Sequence, residues 1–193
     1  KIDYVFATVP IQIRIPKPIT EVGQFLGGPD ILKVRRMLEK GRMDFLDDYY
    51  KKEQFFTDIG GDTKEEVICN ICARIQEQRG LPEGFCDAVL KREELAQTDF
   101  GNLISMPHPY KIVTEETFVY VAVLEKEILW TKNPVQLVFL TAVSGREDKN
   151  LPRFYEVTTE FFLQSEMIKT VIREKDFEVL MQMLRQIYYM QEH

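Results

Sequence analysis

The residue best suited to chemistry in this sequence is His108, the one histidine away from the chain's end, which lies between Pro107 and Pro109. The apolar residues at 103–106 predict a short buried strand, and that strand must stop where two prolines lack an amide donor. His108 is therefore expected at the end of a strand, facing solvent. A neutral imidazole held there is a good nucleophile toward phosphorus. A surface-loop histidine without a role is the alternative, and this stretch alone leaves both open.

The residues upstream of His108 form an ordered set over 17 positions, REELAQTDFGNLISMPH. This stretch resembles the active-site region of the IIA component of the bacterial sugar phosphotransferase system, mannitol/fructose type. In that family an Arg-Glu pair ends a helix, a threonine and a glycine lead into a strand, and the strand delivers a Pro-His whose imidazole carries the phosphoryl group. The matching residues here are Arg92, Glu93, Thr98, Gly101, Pro107 and His108.

The resemblance implies that Arg92 holds the phosphoryl group on His108, because a guanidinium offers a planar fork of donors to phosphate oxygens. The alternative for Arg92 is a basic side chain in the last turn of a helix, where it suits the helix dipole. Secondary candidates for hydrogen bonds near the imidazole are Thr98, Asn102 and Ser105. For each of these three, an ordinary turn or strand-edge role is the alternative.

One position departs from the family pattern. Transport members of the family carry a second histidine after the most apolar strand, and the corresponding position in EDKNLPRFYE is Asn150. Asparagine donates hydrogen bonds but cannot act as an acid, a base or a cation. Asn150 is thus a further phosphate-site candidate, and its identity favours a domain that holds the phosphate as a signal over one that passes it on rapidly.

The bulk composition is that of an ordinary globular protein, with 45% hydrophobic and 29% charged residues. The net charge of −6 argues against direct nucleic-acid or anionic-membrane binding by this chain. The sequence contains no secretory signal and no apolar run long enough to span a bilayer, which predicts a cytoplasmic location. A glycine-rich nucleotide loop is also missing from the sequence, so no cofactor is expected and a nucleotide is not the implied phosphoryl donor.

The three cysteines, Cys69, Cys72 and Cys86, lack a fourth cysteine or a nearby histidine. This pattern fits reduced, buried thiols better than a disulfide framework or a zinc site, so no metal is expected. The Cys-x-x-Cys spacing of the first two is interpreted as a coincidence of helix packing.

Three segments are predicted along the chain. Residues 1–40 read as a β-β-α unit whose pattern resembles the C-terminal part of a IIB-like phosphotransferase domain, residues 41–54 as a charged linker, and residues 55–193 as the IIA-like domain. Because the sequence starts at Lys1 in an apolar strand, we expect a fragment of a longer protein. His193 is terminal and receives no role.

Within residues 55–193, apolar spacing predicts the helices and strands of an α/β sandwich with a mixed central sheet. A capping box formed by Thr63 and Glu66 opens the first helix, and Asp176 caps the last. The other predicted helices cover 83–94, 151–163 and 165–172. The predicted strands cover 103–106, 118–124 and 135–143.

Taken together, the resemblance implies a regulatory phosphoacceptor domain of a bacterial sugar-responsive transcription regulator, of the antiterminator or activator type. Its expected partner is the general phosphocarrier protein or a IIB protein, and the parent protein could be a homo-oligomer. Two alternatives stay open. One is a transport IIA component that passes phosphate to IIB, and the other is an interaction domain that is not phosphorylated.

Overall fold

The computed structural model describes residues 5–8, 19–22, 34 and 45–191, and the chain divides into two compact units, Lys1–Phe45 and Leu46–His193. In the first unit, strand β1 (Val5–Ala7) pairs in parallel with β2 (Ile19–Glu21). Both strands fall where β-structure is predicted. Most of the helix of the predicted β-β-α unit lies outside the described residues. The IIB-like assignment of residues 1–40 stays a prediction.

The second unit is built on a sheet of five strands, which are β3 (Phe55–Ile59), β4 (Asp99–Gly101), β5 (Leu103–Ser105), β6 (Phe118–Leu129) and β7 (Pro134–Ala142). Their order in the sheet is β3-β6-β7-β5-β4. β6 pairs antiparallel with β7, and β4 with β5, whereas the β3–β6 and β5–β7 pairs are parallel. The mixed sheet predicted from the sequence is therefore confirmed.

Five helices between residues 64 and 191 cover the two faces of this sheet. They are α1 (Lys64–Arg79), α2 (Phe85–Leu95), α3 (Leu151–Phe162), α4 (Ser165–Glu174) and α5 (Phe177–Gln191). On β7, Val138 belongs to the core formed with α1 and α2, while the next residue, Phe139, packs against Phe162 of α3 with ring centroids 5.0 Å apart. Successive strand residues point to opposite faces, so helices lie on both sides of the sheet.

The helix caps predicted at Thr63 and Asp176 are both confirmed. The Glu66 amide donates to the Thr63 hydroxyl at 3.2 Å, and the Glu178 amide donates to Asp176 at 2.7 Å. The Glu66 carboxylate reaches one residue further back than a capping box requires, because it accepts from the Asp62 amide at 2.8 Å.

The cysteine prediction is only partly met. All three thiols are free, but only Cys72 is buried, whereas Cys69 is exposed and Cys86 is half-buried. The difference arises because Cys69 lies one turn before Cys72 on α1, close to the edge of the helix face that enters the core.

The structure differs from the sequence prediction at the start of the second unit. Residues 45–49 are helical, and Tyr49 and Tyr50 are buried within the stretch predicted as linker. The Tyr49 ring stacks on Phe154 at 4.5 Å, and the Tyr50 hydroxyl is 2.7 Å from Oγ1 of Thr158. Aromatic burial against α3 therefore places Tyr49 and Tyr50 in the second unit, which starts at Leu46 and not at 55.

The buried Tyr50–Thr158 hydrogen bond predicts a coupled effect on stability. Tyr50→Phe and Thr158→Val should each lower the free energy of unfolding by about 1 kcal/mol, since each leaves one buried hydroxyl without its partner. The double variant should lose clearly less than the sum, because the same bond is removed only once. Urea unfolding at neutral pH measures all four proteins, with the exposed Tyr110→Phe as control; additive losses would contradict the coupling.

Candidate functional site

The loop that carries His108 is held by backbone hydrogen bonds on three sides. It follows β5 and is tied to β7, to α2 and to the residue that precedes β4. The bonds run from the Met106 amide to the Thr98 carbonyl (3.0 Å), from the Thr141 amide to the Pro107 carbonyl (3.0 Å), and from the Tyr110 amide to the Ala88 carbonyl (3.1 Å). With Pro107 and Pro109 restricting φ, the backbone around His108 has little freedom.

The imidazole of His108 is oriented by a contact at each nitrogen. Nδ1 lies 2.9 Å from the Met106 carbonyl oxygen, which can only accept, so Nδ1 carries the proton. Nε2 then has a free lone pair, and it accepts a hydrogen bond from Nε of Arg92 at 3.1 Å. A second guanidinium nitrogen, Nη1 of Arg92, donates to the Ala96 carbonyl at 2.9 Å. The site therefore presents a nucleophilic nitrogen with a cation directly on it.

His108 is half-buried, where the sequence predicts a solvent-facing residue. Beside it lies a small cleft of about 90 Å³. Side chains that border this cleft and that sequence reasoning missed are Lys111, Thr114 and Tyr155. The Thr114 hydroxyl is buried and has no hydrogen-bond partner within the described part of the chain. No spacing or motif in the sequence marks these residues, because they come from a loop and from α3.

Thr98 is not hydrogen-bonded to the imidazole in the described structure and belongs to a buried network under the end of α2. Its hydroxyl donates to the Glu93 carboxylate, which also accepts from the Trp130 indole at 3.0 Å. The Lys64 ammonium lies 3.9 Å away. Burial raises the pKa of Glu93, and the hydrogen bonds from Thr98 and Trp130 offset only part of that effect. Thr98 and Glu93 thus fix the last turn of α2, from which Arg92 projects.

Asn102 and Ser105 also take structural positions. Asn102 donates from its side chain to the Phe162 carbonyl at 3.0 Å, at the end of α3. It lies in a tight β4–β5 turn in which Gly101, Asn102 and Leu103 all have positive φ. Ser105 is fully buried in the sheet, and its hydroxyl has no partner among the described residues. Neither side chain is hydrogen-bonded to His108 in the described structure.

Asn150 lies at the start of α3, and its carbonyl accepts the first hydrogen bond of that helix from the Phe154 amide at 2.9 Å. It borders a second cleft, of about 480 Å³, together with Tyr49, Arg146 and Asp148. This is not the cleft beside His108. Of the site residues predicted from the sequence, the structure therefore brings Arg92 and His108 into direct contact and places the others elsewhere.

The described residues contain no group of three or more histidine, cysteine, aspartate or glutamate side chains arranged to hold a metal ion. Over the same residues, no helix has the length and apolar character needed to cross a membrane.

Most of the second unit matches a known family of phosphotransferase-system domains. Residues 48–187 match the family model described as "Phosphoenolpyruvate-dependent sugar phosphotransferase system, EIIA 2". The chain belongs to this family.

A curated relative and solved structures agree with this assignment. The chain is 31% identical over 179 residues to the probable licABCH operon regulator of Bacillus subtilis (strain 168), a match that covers 93% of this chain and 28% of that protein's length. The chain thus spans less than a third of this relative.

Among solved structures, IIA mannitol from Escherichia coli superposes with a TM-score of 0.57 at 19% identity, over 69% of this chain and 97% of that one. The complex of enzyme IIA mannitol with phosphorylated enzyme IIB mannitol, also from Escherichia coli, gives 0.58 at 18%, over 69% and 95%. Nitrogen regulatory protein IIA-Ntr from Neisseria meningitidis gives 0.56 at 15%, over 68% and 94%. At these identities the likeness establishes the fold, and the predicted IIA mannitol-type architecture is confirmed.

The buried Glu93 carboxylate predicts a specific pH dependence of stability. Folding raises the pKa of this carboxyl group, so the unfolded chain loses the proton before the folded protein does as pH rises above about 4.5. The contribution of Glu93 to the free energy of unfolding therefore falls with rising pH until the folded protein ionises too. Glu93→Gln has no proton to lose, and its amide can accept from Trp130 and donate to the Thr98 hydroxyl.

The measured quantity is the free energy of unfolding of the wild type minus that of Glu93→Gln, from urea unfolding at pH values from 4 to 8. We expect this difference to decrease as pH rises. Glu94→Gln, which removes an exposed carboxylate from the next position, controls for the change in net charge. A difference that stays flat or increases with pH would contradict the assignment.

Proposed function

We propose that the second unit is a phosphoacceptor domain in which Nε2 of His108 accepts a phosphoryl group from the general phosphocarrier protein or a IIB protein. The observation that carries this proposal is the 3.1 Å contact between Nε of Arg92 and Nε2 of His108. The charge of a transferred phosphoryl group has to be compensated close to the attacking nitrogen, and the Arg92 guanidinium lies at that place.

The proposed reaction is an in-line displacement at phosphorus. Nε2 attacks, the phosphorus–Nε2 bond forms, and the bond between phosphorus and the donor's side chain breaks. The Met106 carbonyl stays on Nδ1–H and stabilises the positive charge that develops on the ring. Arg92 gives up its bond to Nε2 and meets the phosphoryl oxygens instead, while the bond from Nη1 to Ala96 keeps the guanidinium close. The cleft that His108 and Thr114 line offers space for the transferred group beside the imidazole.

We further propose that the domain is regulatory and is the sensory part of a cytoplasmic sugar-responsive transcription regulator, of the antiterminator or activator type. The support is the B. subtilis operon regulator as a relative, together with Asn150 at the position where the family resemblance implies a second histidine in transport members. In this proposal residues 1–40 are a IIB-like unit that precedes the phosphoacceptor domain. Added charge on His108 would shift an existing equilibrium between domains or protomers.

A transport IIA component is the second candidate, and one observation favours it. A solved structure with this fold is a complex of a IIA enzyme with a phosphorylated IIB enzyme. The two candidates differ in the fate of the phosphate, since a transport component must transfer it rapidly to IIB and a regulatory domain must retain it.

The proposed acceptor predicts one acid-labile phosphate on His108. The chain is incubated with phosphoenolpyruvate, its kinase and the phosphocarrier protein, and its intact mass is compared with that of His108→Ala. A single phosphate present only on the wild type is expected, followed by slow loss when a IIB protein is added. Rapid transfer to IIB would favour the transport candidate. If neither protein is phosphorylated while the carrier itself is charged, the phosphoacceptor proposal fails.

Arg92→Ala should slow phosphorylation of His108 by about one to two orders of magnitude, because a charged hydrogen bond is worth roughly 1.5–3 kcal/mol. Initial rates of phosphate incorporation measure the effect. Arg173→Ala is the matched control, since Arg173 is an exposed arginine on α4 that pairs with Glu174. Rates that are equal for wild type and Arg92→Ala, with unchanged stability, would contradict the role of Arg92.

A further inference from the structure

The three cysteines of the chain meet at the junction of α1 and α2. Cys69 and Cys72 lie one turn apart on α1, and Cys86 lies in the first turn of α2. The Sγ atoms of Cys69 and Cys86 are 3.8 Å apart. Residues three apart share a side of a helix, so the Cys-x-x-Cys spacing aims both α1 thiols toward the third cysteine. The interpretation of this spacing as a coincidence does not account for three converging thiols.

The cluster is open to small solutes. It lines a cleft of about 370 Å³ between the end of α1 and the start of α2, which Gln76 and Pro82 also border. Cys69 is exposed and Cys86 is half-buried, whereas Cys72 lies in the core at 5% exposure. Cys69 and Cys86 can therefore be reached from solvent, and Cys72 lies in the core next to them.

The surroundings assign different roles to the three thiols. Hydrogen bonds from Cys72 and, more weakly, from Cys69 lower the pKa of Cys86 to about 7, against the opposing effects of burial and of the nearby Asp87 carboxylate. Burial and the bond to Cys86 raise the pKa of Cys69, and the bond to Cys86 and burial raise that of Cys72. Cys86 is thus the sulfur that ionises first, and a thiolate is the reactive form of cysteine.

We propose that Cys86 and Cys69 form an oxidisable thiol pair that a hydroperoxide converts into a disulfide between α1 and α2. The Cys86 thiolate attacks one oxygen of hydrogen peroxide, the O–O bond breaks, and a sulfenic acid forms while the other oxygen leaves as water. The Cys69 sulfur then attacks the sulfenic sulfur, the S–O bond breaks, and a second water leaves. The two sulfurs lose two electrons and two protons in total, and the peroxide is reduced to two waters.

Cys69 is the partner in this disulfide because it can move. A disulfide requires the two sulfurs to approach from 3.8 Å to about 2.05 Å. Cys69 is on an exposed part of α1 and can change rotamer without disturbing the core, whereas Cys72 is packed among Ile68, Ile71 and Ile75. The pair is independent of the phosphoacceptor proposal, since the cleft that it lines is bordered by neither Arg92 nor His108.

The test uses the whole chain treated with a small excess of hydrogen peroxide. We expect the intact mass to fall by about 2 Da, the value for two lost hydrogens, and the number of free thiols to fall from three to one. Non-reducing peptide mapping should link Cys69 to Cys86, and a dithiol reductant should restore the original mass. An unchanged mass, a link that includes Cys72, or a cross-linked dimer would overturn the proposal.

Three variants separate the roles of the sulfurs. Cys72→Ala should still lose about 2 Da, although more slowly, because the hydrogen bond that favours the Cys86 thiolate is gone. Cys69→Ser should stop at a sulfenic acid on Cys86, a gain of about 16 Da that a sulfenic-acid-specific reagent traps. Cys86→Ser should not react at this dose. Thermal unfolding of each variant confirms that it is folded, and a reactive Cys86→Ser protein would refute the assignment of the nucleophile.

Discussion

The carboxylate of Glu93 is buried under the last turn of α2, and three separate parts of the chain meet there. Thr98, just before β4, and Trp130, in the turn between β6 and β7, both donate to it. A buried carboxylate is tolerated only when its oxygens are hydrogen-bonded, so the end of α2 cannot shift without leaving this group unsatisfied. Arg92, one position earlier on the same helical turn, is therefore held in a fixed place.

With the end of α2 fixed, the geometry of the site depends on the orientation of the His108 imidazole. One ring nitrogen is held by the Met106 carbonyl, and the other faces the guanidinium of Arg92. The resting protein thus covers its own nucleophile with a cation, and in the proposed transfer an incoming phosphoryl group takes over that contact. Because the same guanidinium is tied to Ala96, the exchange requires a small movement and no refolding.

The sequence is informative where chemistry and periodicity act locally. The resemblance predicts the neighbourhood of Arg92 and His108, and apolar spacing predicts the mixed sheet, the main helices and the caps at Thr63 and Asp176. The sequence is less informative where tertiary contacts determine the structure. Tyr49 and Tyr50 lie in a highly charged stretch that is typical of a linker, and their burial depends on α3, about 100 residues later.

The same limit applies to shorter elements and to side-chain roles. The strand β3 has five residues, and its sequence indicates a hydrophobic patch but does not specify a strand. Thr98 is typical of a strand edge, but its partners are Glu93 and Trp130, and the latter lies 32 positions away. The contact between Cys69 and Cys86 likewise depends on how two helices pack. The Arg-Glu pair also restricts the length of this part of the chain, because neighbouring helical positions differ by about 100°. One residue inserted early in α2 would turn Arg92 toward the core and Glu93 away from it. The stretch from α2 to His108 is therefore expected to keep a constant number of residues among homologues, while insertions and deletions are accommodated in the exposed loop at 145–149.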